Sequence, residues 1–461
     1  MNKKYVTLIK DTLIFAIGGI GSKMILFFLV PLYTNFMTPD EYGISDLVFT
    51  ISQFVIPFVS VVIFDAVLRF GLSKTEKKED VLVSALTVFG IGGILTVCLT
   101  PLLQFYSAIA RWKWYICIYI ILNILLSIEL NYIKTKNKNR LYAIVSIIQT
   151  LVMAIANILL LAIFKMGIKG YIIANITGIA LAVVLVFIFG KLLPDIQKGK
   201  LSRRLITEMV GYSAPLILNN ISWWFIQSSS KLMIELMISE AMLGIYTVAT
   251  KIPSLINVFI SIFSQSWGLS SVRDFEEEKD TSFYSNVFNF LTMIAFAMSI
   301  GLILIIKPFM SMYVGKDFIE AWRYVPMLLM SASFSAIASY FGSIYGALKK
   351  TVNNMLSTLV SAIVSVGVTY FGIIYFGLWG AIFGTLVAYL VLAFYRMFGI
   401  LRFVKIKIKW VTFFSNVIIL GVEVVMVSLG ISVYLVPAIC LCLFLLVNFK
   451  TIKSILFKKK G

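Results

Sequence analysis

Asn220, Trp224, Gln227 and Lys231 stand four, three and four residues apart in one long apolar run. On a helix with 3.6 residues per turn they share one narrow face. Asn219, Ser222, Ser228, Ser229 and Ser230 make the same run more polar still. An indole beside amides suits the face of a sugar ring, and an ammonium suits a phosphate. The pattern also fits a polar seam between helices in which Glu235, four residues beyond Lys231, neutralises the lysine.

Other ionisable residues interrupt apolar runs in the same way. Lys23 follows a small-residue patch of Gly18, Gly19, Gly21 and Ser22, and Asp46, Asp65, Glu129, Lys251 and Glu423 lie in other runs. A charge at bilayer depth costs about 2.5–3.5 kcal/mol on insertion scales, so such residues face a partner or a wet cavity. Lys23, Lys231 and Lys251, with Asn220, Trp224, Gln227, Asp46 and Gln53, are the candidate cavity residues. Asp65, Arg69, Glu235 and Glu129 are candidates for coupling or ion pairing; Asp65 and Arg69, four apart near a run's end, also fit a plain interfacial ion pair. Glu423 is assigned a structural or peripheral role. No catalytic residue, metal site or cofactor is expected. The chain has no histidine, which removes His-based catalysis and ligation, and Cys98, Cys117, Cys440 and Cys442 all lie in apolar runs as packing residues.

The elements that carry these residues follow from composition. Hydrophobic residues make up 60% of the 461 positions, charged ones 13%, and the mean hydropathy is +0.97. A soluble core cannot use that much apolar side chain. The run over 12–34 is too long for a signal-peptide core and reads as a permanent span. Spans are expected at 12–34, 44–68, 81–103, 114–133, 141–164, 170–190, 211–237, 242–267, 284–306, 324–347, 355–376, 378–399, 410–429 and 431–449. That is an all-α polytopic membrane protein of about fourteen transmembrane helices. The net charge of +19 reports topology and not a nucleic-acid partner. Numbered from a cytoplasmic N-terminus, 30 of the 40 Lys and Arg residues fall inside, Arg396 among them, and seven outside. Both termini are therefore expected in the cytoplasm. The basic tail from Lys450 to Lys460 fits contact with anionic headgroups, or ordinary stop-transfer charge.

Two internal repeats suggest how the spans are grouped. Segments 143–170 and 353–380 match without a gap at an offset of 210 and end in Gly167-Ile-Lys-Gly170 and Gly377-Leu-Trp-Gly380. At an offset of 201, Tyr42-Gly43-Ile44 matches Leu243-Gly244-Ile245, and Asp46, Thr50, Gln53 and Ser60 align with Thr247, Lys251, Ser254 and Ser261. The expected organisation is two pseudo-symmetric six-helix lobes of like orientation, 1–200 and 201–400, followed by two C-terminal helices and a basic tail over 401–461. Pro31, Pro57 and Pro253 are expected to bend three of the helices.

Pro31-Leu-Tyr-Thr34, Thr38-Pro-Asp-Glu-Tyr-Gly43 and Ala66-Val-Leu-Arg-Phe70 are the core of a stretch that resembles the Wzx-type polysaccharide flippases. These belong to the multidrug/oligosaccharidyl-lipid/polysaccharide exporter superfamily. The resemblance is specific over the first ~70 residues and rests on layout elsewhere. It implies a bacterial cytoplasmic-membrane protein that moves a polyprenyl-pyrophosphate-linked oligosaccharide from the inner to the outer leaflet by alternating access, for cell-surface polysaccharide biosynthesis. The implied partners are that lipid-linked cargo, membrane lipids and other polysaccharide-assembly membrane proteins. It also implies a cationic lumen, a role that Lys23, Lys231 and Lys251 would fit.

Three other functions compete. A multidrug antiporter of the superfamily would prefer an acidic cavity, and three intramembrane lysines argue against that. A lipid II flippase carries a diphosphate cargo too. A membrane glycosyltransferase or polysaccharide polymerase would need a sizeable catalytic outer loop, and the longest here runs only over about 307–323.

Overall fold

The computed structural model describes residues 21, 23–73, 75–261, 267, 281–348 and 350–457. The first part of the 12–34 span, with Gly18, Gly19 and Ser22, lies outside them, as do Lys458, Lys459 and Lys460 of the basic tail.

Among the described residues every regular element is a helix. In chain order they are α1 (Lys23–Phe36), α2 (Pro39–Ser60), α3 (Ile63–Gly71), α4 (Lys78–Leu99), α5 (Lys113–Thr135), α6 (Asn139–Asn157), α7 (Gly167–Gly190), α8 (Leu192–Lys198), α9 (Arg203–Met237), α10 (Glu240–Ala249), α11 (Lys251–Ser261), α12 (Thr281–Tyr313), α13 (Val325–Ala347), α14 (Thr351–Phe376), α15 (Leu378–Leu401), α16 (Trp410–Ser428) and α17 (Leu435–Phe457), besides short connecting turns. Ten helices are long and apolar enough to cross a membrane, and α10 with α11 forms one further span bent by 42°. The apolar stretches of α1 and α17 are shorter. The 35-residue α9 is long enough, and it is the helix with the polar face described above. Each expected span thus meets a helix or a bent pair. Large apolar side chains such as Ile94, Phe189, Ile363, Phe376 and Leu446 are exposed, as lipid-facing surface requires.

The described chain forms two compact units, 1–224 and 225–461, whose boundary falls inside α9. The repeats reappear within them as local geometry. Thr38 caps α2 in a reciprocal capping box with Glu41. Ser239, 201 residues later, caps α10 by accepting from the Met242 amide. Gly167 and Gly377 both hold positive φ, +53° and +55°, at the turn into α7 and α15. That backbone region explains glycine at both repeat positions.

The spans break differently. In unit 1, α2 and α3 are separated by Val61 and Val62, both left-handed at φ 49° and 53°. For β-branched residues this conformation costs about 1–2 kcal/mol each. Neighbours hold the break. Ser60 Oγ accepts from the Val62 amide at 3.1 Å, Asn131 of α5 donates to the Phe64 carbonyl at 2.8 Å, and a Cβ on Gly92 of α4 would run into the Val59 carbonyl. Pro57 sits inside α2 and does not itself break it. In unit 2 the break falls between α10 and α11, at Thr250, three residues before Pro253.

Candidate functional site

Unit 2 contains a pocket of about 330 Å³. The last three turns of α9 contribute Gln227 and Lys231, and α10, Thr250 and α11 contribute Tyr246, Thr250, Pro253 and Asn257. Ser331 and Ser335 come from α13, Thr385 and Tyr389 from α15. The floor is ordered by hydroxyls. Thr385 Oγ1 lies 3.1 Å from Ser230 Oγ and 3.4 Å from the Tyr246 hydroxyl, and it donates to the Ala381 carbonyl at 3.2 Å. Beneath it Ser229 faces Ser365 and Ser230 faces Thr369, each at 3.5 Å. Among the described residues the lining holds one ammonium, two amides, two phenols and four aliphatic hydroxyls, and no carboxylate. Such a surface can hydrogen-bond a polyhydroxylated ligand in many orientations and hold one anionic group at Lys231.

The four residues expected on one face of α9 do not act as a set. Gln227 is exposed and lines the pocket with the half-buried Lys231. Trp224 is buried in unit 1, where its indole N–H donates to the Thr50 carbonyl at 2.9 Å and its ring leans on Phe54 at 4.6 Å. This corrects its assignment to a sugar face, because the ring and its donor are both occupied. Asn220 donates to the Leu216 carbonyl of its own helix at 2.9 Å. Glu235 is half-buried on the same helix and is not among the pocket residues. Lys251 sits at the α10–α11 break, next to the pocket residue Thr250, and does not itself line the pocket. Lys23 is exposed on α1.

In unit 1, Asp46 is half-buried and Gln53 exposed on α2. Asp65 and Arg69 form no ion pair. The Arg69 guanidinium lies 4.7 Å over the Tyr212 ring, and the cation that acts on Asp65 is Lys134 of α5. The four-residue spacing permits the pair, but the aromatic face of α9 takes the guanidinium instead. Glu129 is 1% exposed, and its Oε2 has no hydrogen-bond partner among the described residues. Glu423 is fully buried in α16, whose hairpin with α17 is clipped by the Asn416–Asn448 amide pair at 2.9 and 3.4 Å.

One cation near a helix end is buried rather than exposed to a loop. Arg396, assigned above to the inner side, is 2% exposed within α15. Its guanidinium donates to Ser357 Oγ, Thr358 Oγ1 and the Ala338 carbonyl, each at 2.9 Å, and so ties α13, α14 and α15 together. The signal for it is its position inside the 378–399 run, three residues before its end, together with a serine–threonine pair at 357–358 in the preceding helix. Among the described residues no group of three or more Cys, Asp or Glu could hold a metal ion.

This is the architecture of a multi-pass membrane protein. In fold the chain is similar to a lipid II flippase, MurJ, in an inward closed conformation, with a TM-score of 0.73 and 14% identity over 97% of this chain and 99% of that one. It is also similar to the Vibrio cholerae MATE transporter VcmN D35N mutant, with a TM-score of 0.59 and 14% identity over 86% of this chain and 96% of that one. A multidrug resistance MATE family transporter of the MOP superfamily, in an outward-facing conformation, matches with a TM-score of 0.59 and 14% identity over 85% of this chain and 95% of that one. No curated protein sequence matches it. The model of the polysaccharide biosynthesis protein family matches residues 8–267, and the chain belongs to that family. The matched region contains the Pro31-to-Phe70 motifs that carry the Wzx resemblance.

Proposed function

We propose that this protein flips a polyprenyl-pyrophosphate-linked oligosaccharide from the inner to the outer leaflet of the bacterial cytoplasmic membrane. The observation that carries the reading is the unit 2 pocket, whose lining among the described residues is a single lysine with hydroxyls, phenols and amides and no carboxylate. A cationic drug would find no counter-charge there, whereas a glycan joined to a diphosphate finds both kinds of partner. Family membership and fold support a role in polysaccharide assembly. The two-lobe organisation, six spans each and two more, belongs to the same proposal, as do cytoplasmic termini, which the charge asymmetry supports. Lys251 is assigned a supporting role at the break in the eighth span.

The test is transport of the native glycolipid in reconstituted vesicles, with surface polysaccharide as the cellular readout. Lys231→Ala is expected to abolish flipping at normal membrane levels, and Lys231→Arg to keep part of it. Glu235→Gln is expected to be mild if Lys231 serves the cargo, and as damaging as Lys231→Ala if the two form a structural pair. Near-normal transport by a Lys231→Ala, Lys251→Ala double variant would sink the reading. Reporter fusions after Lys138 and Arg204 should report cytoplasm, and fusions after Asp40 and Lys316 the outer side.

A further inference from the structure

Unit 1 carries a band of polar and aromatic side chains along α2 and α5, in which Asn131 also holds the α2–α3 break. Gln53 is exposed in the spanning helix α2, and Asp46, seven residues earlier on the same face, is half-buried. Phe49 stands between them, its ring 4.8 Å from that of Tyr119 on α5 and 5.7 Å from that of Tyr171 on α7. The Tyr119 hydroxyl lies beside both Gln53 and Asn123, which places polar groups of the two helices together. From Asn123 the band continues down α5 through Ser127, Asn131 and Lys134, at spacings of four, four and three on one helical face. Lys134 closes it by donating to Asn131 Oδ1 at 3.2 Å.

Helices that face lipid do not carry half-buried and exposed amides at this depth; such groups face water or a polar passenger. The chemistry of the band narrows the passenger. Its interior is neutral, with Asp46 at one end and Lys134 at the other. Amides both donate and accept, as sugar hydroxyls do, and aromatic faces and edges receive the C–H faces of sugar rings. A proton relay would need titratable groups in sequence, whereas amides and a serine fill the stretch between Tyr119 and Lys134. We infer that this band is a carbohydrate track, the part of the protein that contacts the glycan of the cargo as it crosses. The inference rests on the flippase reading and assigns to unit 1 a task separate from the anion held at Lys231.

The experiment measures Kd for two probes on the full-length protein in nanodiscs. One is the polyprenyl-pyrophosphate-linked oligosaccharide extracted from the source cells; the other is sugar-free polyprenyl pyrophosphate. Wild type is expected to bind the glycolipid more tightly. Gln53→Leu and Asn123→Leu are each expected to weaken the glycolipid by about tenfold and leave the sugar-free lipid unchanged. Tyr119→Phe should act in the same direction by less. Lys231→Ala should weaken both probes. If Asn123→Leu does not fold, Gln53→Leu, at an exposed position, and Tyr119→Phe decide the matter. Equal wild-type affinity for the two probes, glycolipid binding unchanged in Gln53→Leu and Tyr119→Phe, or equal weakening of both probes by Gln53→Leu would each overturn the track while leaving the flippase reading in place. A pH dependence of transport altered by Gln53→Leu, with glycan affinity intact, would overturn it in favour of a proton path. Failure of wild type to bind either probe would overturn the flippase reading itself.

Discussion

Unit 2 gathers its polar groups around a pocket with one ammonium among the described residues, whereas unit 1 strings neutral groups along two helices and keeps its charges at the ends. On the proposed reading the pocket concentrates recognition in one cationic side chain, and the band spreads it over many weak, interchangeable hydrogen bonds. A charge-assisted bond is roughly twice as strong as a neutral one, so single substitutions should hurt unit 2 more than unit 1.

The largest expected effect tests that asymmetry directly. In the vesicle assay Lys231→Ala should lower the flipping rate by about a hundredfold or more, and Gln53→Leu by about tenfold. Equal losses would break the comparison. Next in size is Arg396→Ala. It removes three buried hydrogen bonds and leaves a cavity among α13, α14 and α15, and should cost about 3 kcal/mol in denaturant unfolding. Arg396→Lys should restore part of that stability, since a lysine keeps the charge without the three-way fork. Smaller are the two helix caps, whose likeness sharpens the comparison from the other side. Thr38→Ala and Ser239→Ala should each lose about 1 kcal/mol, because both serve equivalent starts. Smallest is Val62→Gly, where two effects oppose. Relief of a left-handed valine is worth about 1–2 kcal/mol, but Val62 is fully buried, and losing its side chain costs about 2–3 kcal/mol, so thermal stability should fall by about 1 kcal/mol. A gain in stability would show that backbone strain outweighs burial there.

The sequence made the helices legible because apolar runs of spanning length leave no other backbone choice. It also made Gln227 and Lys231 legible, since polar residues at helical spacing in such a run must face something other than lipid. Trp224 was misread for a physical reason. Its spacing matches Gln227 and Lys231, but whether an indole stacks on a sugar or on Phe54 depends on a helix 170 residues away in sequence. Arg69 failed likewise: four-residue spacing permits an ion pair with Asp65, and only the fold reveals Tyr212. Asn123 and Ser127 went unnoticed as ordinary small polar residues until α5 was seen beside α2. The pocket's far wall, Ser331, Ser335, Thr385 and Tyr389, had no local signature at all, because each residue is unremarkable in its own helix.

The Thr38-to-Gly43 turn has a consequence for how proteins of this kind are sorted. Thr38 and Glu41 spend their side chains on each other's backbone amides, and Tyr42 spends its ring against Tyr33 and Tyr171. The signature by which such a chain is noticed is therefore an instruction for starting a helix, and it is silent about freight. On the flippase reading, two proteins that share it are expected to be free to move unrelated glycans, and grafting this hexapeptide from one to the other should leave the choice of passenger untouched. Classification by that motif sorts these proteins by how they are built; sorting them by what they carry requires the residues that face the passage.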